Sequence, residues 1–225
     1  LIGAVVGPNL AAMTRSLTAT AFTGSYLSLV AVAALSMAIM AVVRFPEVAS
    51  ARKRGDSGRP MGVIMRQPVF IVAAGGAALG YGVMNLLMAA TPLAMHVYGM
   101  SFDNTALVLE WHVIGMFAPG FFTGHLIKRF GVLPVMGVGV LLNAACIAIA
   151  LIGQDLMHFT AALFVLGVGW NFLFTGSTTL SLQAYRPEEK DKAQASINFL
   201  TFITMALSSF ASGALLTTQG WTWLN

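Results

Sequence analysis

The chain has 225 residues, 57% of them hydrophobic and only 9% charged, with a formal net charge of +4. Soluble domains keep about a quarter of their residues charged, so this composition excludes a water-soluble globule and predicts a membrane protein. The basic excess does not describe a nucleic-acid surface, because the cations sit in short stretches between long apolar runs.

A helix needs roughly 20 apolar residues to cross a bilayer, since its backbone polar groups must be satisfied within the segment. In chain order, uncharged or nearly uncharged runs predict membrane segments over about 1–13, 19–43, 68–91, 104–124, 131–152, 157–178 and 194–216. The residues from Trp221 look like the start of an eighth. The first segment is short and the last incomplete, so the chain is expected to be a piece of a longer protein. The expected fold is therefore all-α, a polytopic transmembrane helical bundle. Cys146 is the single cysteine and lies in an apolar run, which excludes an intramolecular disulfide and a cysteine-built metal site.

The loops between these segments alternate in charge. Even-numbered loops hold Arg44, Arg52, Lys53, Arg54, Arg59 and Arg66, then Lys128 and Arg129, then Arg186, Lys190 and Lys192. The odd-numbered loops hold Arg15 alone. Lys and Arg accumulate on the cytoplasmic side, so the even loops are expected to be cytoplasmic. The longest, 45–67, contains RKRGDSGRP and has the composition of a linker.

Two ionisable residues fall inside a predicted segment, Glu110 and His112. An intramembrane charge is costly and usually has a role or a partner, which makes both candidates for proton coupling. Two residues apart is about 200° around a helix, so they point to nearly opposite faces and do not pair with each other. The plainer alternative is a hydrogen bond to a neighbouring helix for Glu110 and a packing role for His112. Neutral candidates for a solute cavity are Tyr81, Asn85 and Met88 on one segment, and Trp170, Asn171 and Thr175 on a later one, with Phe174 and Thr178 alongside. These residues offer hydroxyl, amide and aromatic groups to an organic solute; interhelical hydrogen bonding is the alternative use for each. Gly76 and Gly80, like Gly3 and Gly7, have the spacing that lets helices approach closely. No metalloprotease, nucleophile-elbow or phosphate-loop motif occurs, and no His, Cys or carboxylate cluster has metal-ligand spacing. Neither an enzyme nor a metal or organic cofactor is expected.

Three local patterns share one register. Gly3-Ala4-Val5-Val6-Gly7-Pro8 resembles the G-x-x-x-G-P signature of the fifth helix of major facilitator superfamily transporters, although Ala11 and Ala12 replace its final glycines. The run Gly124 to Gly131, GHLIKRFG, resembles the family's cytoplasmic G-x-x-x-D-R-x-G loop between helices 8 and 9. Lys128 stands where the acid belongs, followed by Arg129. The stretch from Tyr185 to Ala195 is similar to the loop between helices 10 and 11.

The resemblance implies an MFS-type fold covering helices 5 to 11 and the start of 12. Residues 1–44 would close the N-terminal six-helix half, 45–67 would be the cytoplasmic interdomain loop, and 68–225 would begin the C-terminal half. It also implies alternating access around a central cavity, with the lipid bilayer, a small organic solute, protons and the missing N-terminal half of the same protein as partners. Gly3, Gly7, Pro8, Gly124, Lys128, Arg129 and Gly131 would be conformational motifs. The fifth-helix pattern leans towards proton-coupled antiport and efflux in a bacterial inner membrane. Uptake of a small nutrient or vitamin-like solute is the alternative, and an intramembrane enzyme or sensor the reading from another class.

Overall fold

The computed structural model describes residues 2–44 and 58–224, and among them every regular element is helical. The helices are α1 (Ile2–Thr14), α2 (Thr23–Val42), α3 (Met61–Met65), α4 (Pro68–Val97), α5 (Phe102–Phe117), α6 (Gly120–Phe130), α7 (Val132–Ile152), α8 (Leu156–Ser181), α9 (Lys190–Gln219) and α10 (Trp221–Leu224). A 3₁₀ turn, Pro187–Glu189, precedes α9. Six segments are long and apolar enough to cross a bilayer: Thr23–Val42, Pro68–Val97, Phe102–Phe130, Val132–Ile152, Leu156–Ser181 and Pro187–Gln219. The protein is thus an all-α polytopic bundle. Helix α1, 13 residues long, coincides with the first segment that the sequence predicts.

The described residues fall into two compact units, one with α1 and α2 and the other with α3 to α10. In the first, α1 runs unbroken through Gly7 and Pro8. Ser25 Oγ donates to Ala11 O (2.9 Å), and a Cβ on Gly24 would lie 2.1 Å from Thr14 O, so α2 packs backbone-close on α1 there. Gly3 and Gly7 do not make that contact. Both are exposed, with no heavy atom within 4 Å of an added Cβ.

The second unit is built around α8, which packs on α4, α5 and α7, while α9 packs on α4. Lipid tails are as apolar as leucine, so such helices gain by fitting closely rather than by leaving water. Small residues make the fit. A Cβ on Gly167 of α8 would sit 2.4 Å from His112 O of α5, and one on Gly115 of α5 would sit 2.5 Å from Phe164 O of α8. On another face of α8, Gly169 meets Gly139 O of α7 at 2.9 Å. Gly76 and Gly80 of α4 meet Ser177 and Leu173, the close approach their spacing predicts.

Three boundaries differ from the sequence expectation. Helix α4 continues through Pro92 to Val97, because a membrane helix tolerates one missing backbone donor. The segment expected as one helix over 104–124 is broken at Ala118-Pro119 into α5 and α6, where proline cannot continue the ladder. Residues 58–67, expected to be linker, are docked on the second unit through Arg59 and α3; the rest of the predicted interdomain loop lies outside the described residues. At the other end of α6, Gly131 adopts φ 90°, which favours glycine, and turns the chain into α7.

Candidate functional site

A cavity of about 380 Å³ lies among α4, α8 and α9. Tyr81 and Ala77 of α4 line it, with Phe174, Ser177, Thr178 and Ser181 from α8. Helix α9 contributes Gln194, Ile197, Asn198, Thr201, Phe202 and Met205. No carboxylate, imidazole, lysine or arginine is among these residues. The cavity is therefore neutral, with hydroxyls, two amides and aromatic faces.

Its aromatic wall is layered. Trp170 and Phe174, one turn apart on α8, stack with ring centroids 5.0 Å apart and planes at 8°. Tyr81 meets both edge-on, at 5.1 Å from Trp170 and 5.2 Å from Phe174. Offset and edge-to-face pairs of this kind fix ring orientation beyond what burial alone does. Met84, Met88 and Met116 pack around the group. Two buried donors in this region, Trp170 Nε1 and Ser177 Oγ, have no hydrogen-bond partner among the described residues. Leaving such a group unpaired costs about 1–3 kcal/mol, which makes each one notable.

The sequence candidates divide. Tyr81 lines the cavity, while Met88 and Trp170 form its backing. Asn85 does not line it: Nδ2 donates to Met205 O (3.1 Å), Ser208 Oγ (3.0 Å) and Ser209 Oγ (3.0 Å), tying α4 to α9. Asn171 is also used structurally. Its Nδ2 donates to Met116 O (2.7 Å) and its Oδ1 accepts from Thr123 Oγ1 (2.7 Å), bracing the α5–α6 break at Pro119 from both sides. Thr175 sits half-buried on another face of α8, its carbonyl accepting from Thr178 and Thr179.

Glu110 and His112 both lie on α5, away from this cavity. Glu110 is half-buried. His112 is fully buried, with Nδ1 2.8 Å from Leu163 O. A carbonyl only accepts, so Nδ1 carries the proton and Nε2 is left as a buried acceptor without a partner among the described residues. Gly124, midway along α6, and Lys128 and Arg129, in its last turn, are exposed, and the Arg129 guanidinium lies 5.3 Å from the Phe130 ring centroid.

A second polar centre holds the loop ends. Glu189, fully buried, accepts from Arg59 N (2.7 Å), Arg59 Nε (2.9 Å), Arg59 Nη2 (2.7 Å) and Arg186 N (3.0 Å). Hydrogen bonds from Arg59 hold its carboxyl well below the usual carboxylate range, and Arg59 is raised in turn. Arg59 Nη2 and Gln67 Nε2 both donate to Ala184 O, and Lys192 Nζ donates to Arg59 O.

Sequence reasoning gives Gln194 and Asn198 less weight than the residues of the two earlier segments, and it does not single out Ser177, Thr201 or Met205 for the cavity. Their signal was a stripe: Gln194, Ile197, Asn198, Thr201 and Met205 recur at helical spacing along one face of α9.

A helical membrane bundle with a neutral, solute-sized cavity among its helices has the architecture of a carrier. The chain belongs to the Major Facilitator Superfamily, whose sequence profile matches residues 73–225. It is 41% identical to the riboflavin transporter RfnT of Brucella anthropi over 227 residues, all of this chain and 57% of that protein. It is 28% identical to the uncharacterized MFS-type transporter YddS of Bacillus subtilis over 232 residues, 95% of this chain and 52% of that one. A second Bacillus subtilis protein, the uncharacterized MFS-type transporter YdeG, is 32% identical over 135 residues, 59% of this chain and 30% of that one. The chain spans about half the length of the first two relatives. No solved structure matches.

Proposed function

We propose that the protein is a secondary carrier that takes up a small, neutral, flat organic solute of the vitamin class, with riboflavin the first to test. The observation that carries this reading is the lining of the cavity: aromatic faces and neutral hydroxyl and amide groups, with no ionisable acid or base beyond the Tyr81 phenol. A charged solute would need a compensating charge in such a site, whereas a neutral heterocycle would not. The relative at 41% identity is named a riboflavin transporter, which supports the same solute class; uptake is the direction proposed with that class, in place of the efflux suggested by the fifth-helix pattern.

On this reading residues 68–225 belong to the C-terminal half of a bacterial inner-membrane carrier. The basic loops at 59–66, 128–129 and 186–192 lie in the cytoplasm. Ser181, the last residue of α8, and Gln194, near the start of α9, line the cavity close to the 186–192 loop, which supports an opening towards that side. The coupling ion is the proton. Its carrier group lies outside the cavity, with Glu110 and His112 on α5 as the two candidates.

A riboflavin auxotroph lacking its own uptake system, given the full-length carrier, is expected to grow on low external riboflavin and to accumulate the labelled vitamin. No accumulation, or faster loss from preloaded cells, would overturn the uptake reading.

A further inference from the structure

The cavity's polar groups are not equally available. The hydroxyls of Thr178, Ser181 and Thr201 donate to carbonyls of their own helices, and Gln194 Nε2 donates to the Tyr185 hydroxyl. Among the described residues, the Tyr81 hydroxyl, Ser177 Oγ and the Asn198 carboxamide have no such engagement. Ser177 Oγ is 1% exposed and unpaired, so it is a buried group with an unfilled hydrogen bond on the cavity's α4–α8 seam. Native proteins rarely leave such a group unmatched, and a bound solute is one way to match it.

These three groups differ in kind. The Tyr81 and Ser177 hydroxyls can donate or accept at one atom. Asn198 alone presents a donor and an acceptor side by side in one plane. A carboxamide of that form pairs bidentately with any ring edge that carries adjacent C=O and N–H groups. Phe174 stands in the same cavity, stacked on Trp170 and held at right angles by Tyr81. Its orientation is fixed before any solute arrives, so little ordering remains to be lost when a flat ring stacks on it.

We infer that this cavity reads the edge of a planar heteroaromatic solute. Asn198 pairs with an adjacent C=O and N–H on the ring, Ser177 and Tyr81 take further ring heteroatoms, and the Trp170–Phe174 stack receives the ring face. This assigns Asn198 and Ser177 as specificity-determining residues. The inference rests on the uptake reading and adds to it the chemical feature by which the solute is recognised.

The test uses two solutes with the full-length carrier: an isoalloxazine with its imide N–H free, and the same ring methylated at that nitrogen. Methylation removes the donor and blocks the edge while keeping the stacking face and the neutral charge. Wild type is expected to show a KM lower for the free ring on the order of tenfold or more, since a site built to pair a donor rejects an analogue lacking it. Asn198→Ala is expected to bring the two KM values together by raising that of the free ring. Asn198 lies exposed on α9, and the wild-type comparison needs no variant at all. Equal KM values in wild type, or an undiminished preference in Asn198→Ala, would overturn the edge-reading inference while leaving uptake in place. A carrier that moves neither ring would overturn the uptake reading itself.

Discussion

Replacing Glu189 with Gln is expected to lower the melting temperature by several degrees, to expose the chain near Arg59 and Arg66 to trypsin, and to reduce transport. Both carboxylate oxygens are used in the native arrangement, and every donor to them lies at 2.7–3.3 Å. Arg59 N donates to Oε1 and Arg186 N to Oε2, so an amide at 189 would turn its N–H₂ towards one or the other of these backbone N–H groups, placing donor against donor in either orientation. The turn at Gly58 is fitted to the carboxylate as well: φ is 64°, and a Cβ there would lie 2.5 Å from Glu189 Cγ.

A charge exchange, Arg59→Glu with Glu189→Arg, is expected to fail as a rescue. Two of the donors to position 189 are backbone N–H groups, which stay in place and repel a guanidinium. A double variant with wild-type melting temperature would show that the pair acts through charge alone. The pH dependence has a definite sign. The carboxyl is held below its ordinary value of 4.5, so its contribution is complete above that pH and is lost only as pH falls through the lowered value. Between about pH 5 and 9 the clasp is therefore constant. Any change of transport rate in that window belongs to another group.

The second large effect is expected at Gly167. A side chain there would meet backbone, His112 O at 2.4 Å and Met116 N at 2.9 Å, so no rotamer change can relieve the clash. Gly167→Val forces α5 away from α8 and is expected to cost at least 1–3 kcal/mol, the usual range for overpacking, with loss of folded protein from detergent extracts. The reciprocal contact, Gly115 on Phe164 O, tightens the same seam. Gly124→Ala is the contrast. No heavy atom lies within 4 Å of its added Cβ, and the change is expected to stay within about 0.5 kcal/mol. Similar losses for both variants would show that the seam is not the constraint described here. Thermal unfolding followed by size-exclusion chromatography reads both.

Much of the fold was legible in the sequence because bilayer thickness converts composition directly into segment length. The uncharged runs located every long helix, and the family resemblance in residues 124–131 and 185–195 agreed with the profile match over 73–225. What periodicity could not supply was rotation about each helix axis. Tyr81 and Asn85 share one face by spacing, yet Tyr81 meets Trp170 of α8 and Asn85 bonds to Ser208 and Ser209 of α9. The sequence offers Asn171 as a cavity amide because nothing local reveals that a proline break on another helix needs a brace. Arg59 and Glu189 stand 130 positions apart, and no local pattern joins them. Glu110 and His112 look alike in the sequence as intramembrane ionisable residues, whereas the structure leaves Glu110 half-buried and buries His112 completely beside the Gly115–Gly167 seam.

The most direct test of the account is riboflavin counterflow in proteoliposomes holding the full-length carrier. With unlabelled riboflavin inside, labelled riboflavin outside is predicted to accumulate transiently above its equilibrium level, saturably, and with a lower peak when Phe174 is replaced by Leu. Entry no faster than into protein-free liposomes would contradict the carrier assignment for this solute.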